Sequence, residues 1–135
     1  MKLGLIWGYW GALPPANLVE TTKLAEDLGF DSVWSAEAWG SDAFGPLAYL
    51  AGQTSRIKLG TSVVQLSART PTATAMHAIT LDHLSNGRLI LGLGAGWYEK
   101  DYTTYGYRFG TFGSRFDLFD ESLLRIEDRL VALIL

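Results

Sequence analysis

The chain predicts an α/β fold built on a parallel sheet, and three observations carry that reading. Short apolar runs alternate with segments of helical spacing four times along the 135 residues. The first, third and fourth runs are apolar nearly throughout, as expected of parallel strands covered on both faces. Only short breaks separate most elements, with no linker, repeat or low-complexity tract, so residues 1–135 read as one domain.

The elements follow in order. Lys2–Trp7 (KLGLIW) is the first strand, ended by Gly8. Leu13–Phe30 opens with prolines and spaces Leu18, Val19, Leu24, Ala25 and Leu28 as a helix does, with Gly29 as its C-terminal cap. Asp31–Glu37 is the second strand. Ser41–Ser55 is the second helix, with Ser41 or Asp42 as its N-terminal cap. Ile57–Val64 is a third strand rich in β-branched residues, and Thr70–Gly87 a third helix with Pro71 in its first turn. Arg88–Gly94 is the fourth strand. A long loop follows, and then the helical segment Ser114–Leu135, where Phe116, Phe119, Leu123, Ile126, Leu130 and Leu133 share a face. Such βα repeats connect by right-handed crossovers. Their spacing suits an open doubly wound sheet and a piece of a barrel equally.

Composition narrows the function. The chain is 48% hydrophobic and 19% charged, which is globular rather than disordered. A net charge of -3 with no Lys/Arg cluster argues against nucleic acid and anionic membrane as partners. There is no cysteine, hence no disulfide framework and no thiolate metal site. The N-terminus lacks a signal h-region and no apolar run approaches a bilayer span, so a cytoplasmic protein is the simplest expectation. His77 and His83 lie about 600° apart around a helix and cannot chelate one ion as an i, i+4 pair does. Asp82, Ser85 and Arg88 read as structural ties between the third helix and the fourth strand. No catalytic Ser-His-Asp arrangement, Walker loop or zinc spacing is present, so no metal is expected.

The segment RLILGLGAGW, Arg88–Trp97, needs separate treatment. Its glycines, Gly92, Gly94 and Gly96, form G-x-G-x-G, and the third position of a dinucleotide fingerprint is occupied by Trp97. A phosphate cradle fails on spacing. Gly94 and Gly96 then serve either close approach of a flat ligand or plain packing, whereas Gly92, deeper in the strand, suits packing.

Several phrases carry a family resemblance. LDHLSNGRLILGLGAGW (Leu81–Trp97), IKLGTSVV (Ile57–Val64) and GFDSVWSAEAWGSDAF (Gly29–Phe44) resemble the luciferase-like monooxygenase family, most strongly its deazaflavin-dependent (coenzyme F420) oxidoreductases. The combination L-D-x-L-S-x-G-R then L-G-L-G-x-G-W is specific, and the similarity runs from Leu3 to about Leu130. The family fold is a (β/α)8 barrel of roughly 250 residues or more. The resemblance covers its first four βα units, a (β/α)4 half-barrel, and the later phosphate-binding loops have no counterpart.

In such a barrel the chemistry sits at the C-terminal strand ends. The resemblance places coenzyme F420, or FMN in its stead, at a mouth formed by the second to fourth strands. Thr61, Ser62, Val63, Gly94, Gly96 and Trp97 are the implied cofactor-binding residues. Ser62–Val63 matches a non-prolyl cis peptide that sets Val63 behind the ring as a backstop, the alternative being an ordinary trans strand end. Glu37 matches an acidic residue near the deazaflavin, with a cap or loop hydrogen bond as the alternative. The position after it holds a catalytic-site histidine in the dehydrogenase members and is Ala38 here, which disfavours a sugar-phosphate dehydrogenase mechanism. Glu99 is a second catalytic candidate, an acid if burial raises its pKa, against a solvent-facing EKD run. Trp39 is the implied substrate-side residue, or else core.

The expected activity is hydride transfer or monooxygenation with reduced deazaflavin or flavin. A half-barrel that self-associates as a dimer or larger species, without catalysis, is the rival, since its edges and inner face would be bare. A doubly wound domain binding another nucleotide is third, and the lack of a glycine phosphate loop in WGYWGALPP argues against it.

Overall fold

The computed structural model describes residues 1–38, 40–104 and 106–134. The elements are β1 (Gly4–Gly8), α1 (Leu18–Asp27), β2 (Ser32–Ser35), α2 (Phe44–Ala51), β3 (Lys58–Thr61), β4 (Val64–Gln65), α3 (Pro71–Leu84), β5 (Leu89–Ile90), β6 (Leu93–Gly94), α4 (Glu99–Thr104) and α5 (Phe112–Ile134). A single 3-10 turn, Leu66–Ala68, leads from β4 toward α3. Strands β1, β2, β3 and β5 lie side by side in that order, all parallel, and β4 pairs with β6 as a short parallel extension.

Local chemistry sets most boundaries. Helix α1 starts after Asn17 at φ 57°, not at the prolines, because the left-handed turn there redirects the chain. It ends where expected. Gly29 adopts φ 82°, and Phe30 N–H donates to the Ala25 carbonyl, the bond of a left-handed cap. Of the two candidate caps of α2, Asp42 serves: its Oδ2 accepts the N–H groups of Phe44 and Gly45 at 3.0 and 2.8 Å. Thr70 Oγ1 accepts the Ala73 N–H ahead of Pro71, starting α3.

Two expected strands are broken. Ile57–Val64 splits at the Ser62–Val63 peptide, which is cis, and Arg88–Gly94 splits at Leu91–Gly92. The breaks face each other. The Thr61 hydroxyl donates to the Gly92 carbonyl and accepts the Gly92 N–H, both at 2.8 Å, so one side chain replaces the missing ladder bonds. The loop after β6 also contains α4. Tyr102, fully buried with its hydroxyl on the Ala95 carbonyl at 2.7 Å, holds it against the strand end.

The sheet has one covered face. Leu5, Val33, Leu59 and Leu89 stand in register, and Val33 and Leu59 pack with Leu47, Leu50, Ile57, Ala78 and Leu81 beneath the helices. On the opposite face Ile6, Trp34, Gly60 and Ile90 are aligned, and Ile6 is 65% exposed. The expectation that every apolar strand is covered on both faces therefore fails at β1, whose residues are all half-buried or exposed. Trp34 shields part of this inner face. Its indole lies across Gly60, where a methyl group would overlap the ring, and its Nε1 donates to Ser32 Oγ at 2.8 Å. Helix α5 packs through Ile126, Phe119 and Leu130 onto Leu66, Ala75, Leu91 and Leu93. Phe116, expected on that buried face, is 46% exposed and pairs instead with Phe112, while the side chain of Leu133 lies outside the described residues.

Candidate functional site

The C-terminal ends of the strands meet on one side, where β1 ends in Gly8 at φ 64°. Just beyond β2, Glu37 enters the interior with its side chain 7% exposed. A carboxylate that deep requires donors, and it has them. Oε1 accepts the Gln65 N–H at 3.1 Å, and Oε2 accepts the Ala43 N–H at 3.2 Å and Arg69 Nη2 at 2.6 Å. Three of the roughly four acceptor positions of a carboxylate are thus filled. The cap-and-loop bond weighed from sequence is present, together with an ion pair that sequence reasoning missed. Arg69 was visible as the cation between a strand end and a helix start, and a buried carboxylate signals the need for one. Its guanidinium, 17% exposed, stands 5.5 Å from the Phe44 ring centroid, and Phe44 stacks on His77 behind it.

Glu37 and Arg69 line a cleft of about 380 Å³ with Ser41, Asp42, Asp101 and Tyr107. The Trp10 N–H donates to Ser41 Oγ at 2.9 Å, and Gly40 lies so close to the Trp10 carbonyl that a methyl group would overlap it. The loops after β1 and β2 are therefore locked together. Among the described residues, Arg69 Nη1 and Trp10 Nε1 are buried donors without a partner.

The other predicted residues divide. Ser62 and Val63 are exposed at the corner between β3 and β4, Val63 by 40%. Thr61 is buried, and its hydroxyl is taken by Gly92. Each glycine of the G-x-G-x-G run meets this chain's own atoms: a methyl group would overlap the Thr61 carbonyl at Gly92, the Val63 side chain at Gly94 and the Tyr102 hydroxyl at Gly96. Gly96 also needs its positive φ of 74°. Trp97 is 82% exposed with its ring 5.3 Å from that of Tyr98, and Glu99 is exposed at the start of α4, so the burial that would make it an acid is not present. Trp39 lies outside the described residues. The site residues thus fall into a buried polar clamp at Glu37 and an exposed apolar corner at Val63. Among the described residues no group of three or more His, Cys, Asp or Glu is placed to hold a metal ion.

A family model described as luciferase-like monooxygenase matches residues 6–130. The chain belongs to that family. It is 62% identical over 109 residues to a Mycobacterium tuberculosis protein named as a coenzyme F420-dependent oxidoreductase, covering 81% of this chain and 31% of that one. An F420-dependent glucose-6-phosphate dehydrogenase of Amycolatopsis mediterranei is 36% identical over 124 residues, covering 84% and 37%. Among solved structures, the oxygenating constituent of 3,6-diketocamphane monooxygenase of Pseudomonas putida, in complex with FMN, superposes with a TM-score of 0.79 at 26% identity, covering 94% and 38%. The chain spans about a third of the length of these relatives, and its parallel βα repeats are the first half of their (β/α)8 barrel.

Proposed function

We propose that this chain forms the ring-facing part of an oxidoreductase that uses reduced deazaflavin (coenzyme F420), with FMN as the alternative, on a small-molecule substrate. The observation that supports this most is the Ser62–Val63 corner: an apolar side chain, 40% exposed, at the mouth end of a parallel half-barrel. The residues present fit a flat ring. Val63 offers it an apolar contact, a methyl group at Gly8 would meet nothing within 4 Å, and Gly94 holds β6 close under Val63. Ser62, Val63, Gly94, Gly96 and Trp97 would hold the ring, and Thr61 would act through the backbone it fixes. When bound, the deazaflavin or flavin supplies two-electron transfer with the substrate. The protein's share is to hold the ring, exclude water and orient the substrate.

Trp39 is the proposed substrate-side residue, and the exposed Glu99 is assigned no proton transfer. Ala38 stands where the dehydrogenase members carry histidine, so the reading does not extend to a sugar-phosphate substrate. Among the described residues no helix is long and apolar enough to cross a membrane, and the net charge offers nothing to nucleic acid, which suits a cytoplasmic setting.

A second reading, self-association without catalysis, is favoured by the 65% exposure of Ile6 on the inner face. One experiment addresses both: titration of the chain with coenzyme F420 and FMN by fluorescence, with light scattering on each mixture. Weak but saturable quenching that Val63→Asp abolishes is the expected result, since the later phosphate-binding loops have no counterpart here. Quenching indifferent to that substitution would place the ring elsewhere, and an associated chain that quenches neither cofactor would favour the second reading.

A further inference from the structure

We infer that Glu37 is a positioning residue whose carboxylate, charge-balanced by Arg69, fixes the Val63 corner; that the corner contacts a ring rests on the reading above. The corner has three backbone restraints. Ser62 N–H donates to the Ser35 carbonyl at 2.7 Å, Val64 N–H to the Gly92 carbonyl at 2.9 Å, and Gln65 N–H to Glu37 Oε1 at 3.1 Å. The first two are strand-to-strand bonds. The third is made by a side chain, and it pins the chain two residues beyond Val63.

The same carboxylate reaches three separate segments. Its other oxygen holds the Ala43 N–H at the entry to α2 and Arg69 Nη2 ahead of α3. It therefore sets the distance between the end of β2, the start of α2, and the β4-to-α3 connection. Both partners are largely buried, so solvent competes weakly for these bonds. Arg69 is held in turn against the Phe44 ring, which fixes the cation independently of the carboxylate. A carboxylate with three filled acceptor positions, one by a guanidinium, is poorly placed to exchange a proton with a ligand. Its contribution is geometric.

The chemistry of the pair makes a specific demand. Both Glu37 oxygens face donors only, so an amide at this position keeps its single oxygen on the Ala43 N–H and the cationic Arg69 and turns its NH2 toward the Gln65 N–H. Glu37→Gln, conservative in shape, should thus release the corner nearly as well as Glu37→Ala.

The test is NMR of the full chain without cofactor, reading the Val63 methyl resonances and the exchange of the Gln65 amide, with the Ile57 and Leu89 amides as distant references. In Glu37→Gln and Glu37→Ala the Val63 methyls should shift and Gln65 exchange should accelerate about tenfold or more, the loss of one hydrogen bond to a charged acceptor, while the references stay put. Arg69→Lys, which keeps the cation but not the fork, should give a smaller change of the same pattern. It also serves if a Glu37 variant does not fold. Unchanged Val63 and Gln65 signals in the folded variants overturn the inference, and coenzyme F420 binding lost in those same variants would then assign Glu37 to direct contact with the cofactor. A displaced corner in a chain that never bound coenzyme F420 leaves positioning standing and removes the cofactor reading instead.

Discussion

The two ends of the sheet use charged groups in opposite ways. At the end away from the mouth, Arg88 donates to the carbonyls of Ser85, Ala51, Thr54 and Ile57 and to Thr54 Oγ1, at 2.6 to 3.2 Å. Glu26 accepts the consecutive N–H groups of Ser55, Arg56 and Ile57, and Asp82 accepts that of Leu89. These groups close helix ends onto strand starts with carbonyls and N–H groups that would otherwise lack partners. At the mouth the strands break, Val63 and Trp97 are exposed, and Arg69 Nη1 and Trp10 Nε1 lack partners among the described residues. The closed end is tied by its own charged groups, and the open end leaves apolar side chains exposed and donors unpaired among the described residues, the division expected of a (β/α)8 barrel.

The largest effect should come from cutting the closed end at Arg88. Burial lowers its pKa and Glu26 partly offsets this, but the group remains cationic at any ordinary pH. Arg88→Ala leaves several carbonyls unpaired at once and should cost at least about 3 kcal/mol in urea unfolding. Arg88→Lys should recover little, because a single ammonium cannot span acceptors on α2, just before β3 and just past α3. A loss below about 1 kcal/mol would mean that the closed end is not where stability resides.

Glu26 gives a smaller, pH-dependent break of the same comparison. Burial opposes its ionisation, but the N–H groups of Ile57, Arg56 and Ser55 and the charge of Arg56 together hold its carboxyl below the usual range. The sign follows: a carboxyl lowered in the folded state adds stability above its unfolded pKa and loses it as pH falls through the folded value. Glu26→Gln should cost about 1–2 kcal/mol at neutral pH. The gap between variant and parent should then close as pH drops from about 5 through the lowered carboxyl range. Parallel stability curves down to that range would show that the carboxylate adds nothing there.

Distance along the chain explains what the sequence made legible. Gly29 past a helix, Pro71 after Thr70, and Asp82, Ser85 and Arg88 within a few residues of each other all read directly as caps and ties, whereas the reach of Glu26 to Ser55–Ile57 and of Arg88 to Ala51, Thr54 and Ile57, 29 to 37 positions away, did not. The clamp at the mouth is equally non-local. Glu37 stood out as a carboxylate at a strand end, yet its partner Arg69 lies 32 positions away, and nothing in residue spacing joins them. The strand breaks were hidden because IKLGTSVV and RLILGLG stay apolar across them; only the family resemblance marked Ser62–Val63. Helix α4 was read as loop, since its order comes from burial of Tyr102 rather than from the propensity of a Gly-, Tyr- and Thr-rich run. Phe116 had the period of a core residue but lies near the start of α5, 46% exposed, against Phe112.

The smallest stability effect should come from Gly94→Ala, and it sharpens the contrast most. The new methyl meets a Cγ methyl of the Val63 side chain, 40% exposed and one torsion from the backbone, rather than a backbone atom. Unfolding should therefore change by less than about 1 kcal/mol. The neighbouring Gly92→Ala would press on the Thr61 carbonyl and cost more, because backbone cannot step aside. In Gly94→Ala the displaced Val63 should shift its methyl resonances and weaken ring binding by at least tenfold, about 1.4 kcal/mol. At the closed end stability and structure are lost together; at the mouth they should separate. If Gly94→Ala left deazaflavin affinity and the Val63 resonances unchanged, the glycine would serve packing alone, and the apolar corner would lose its claim to the ring.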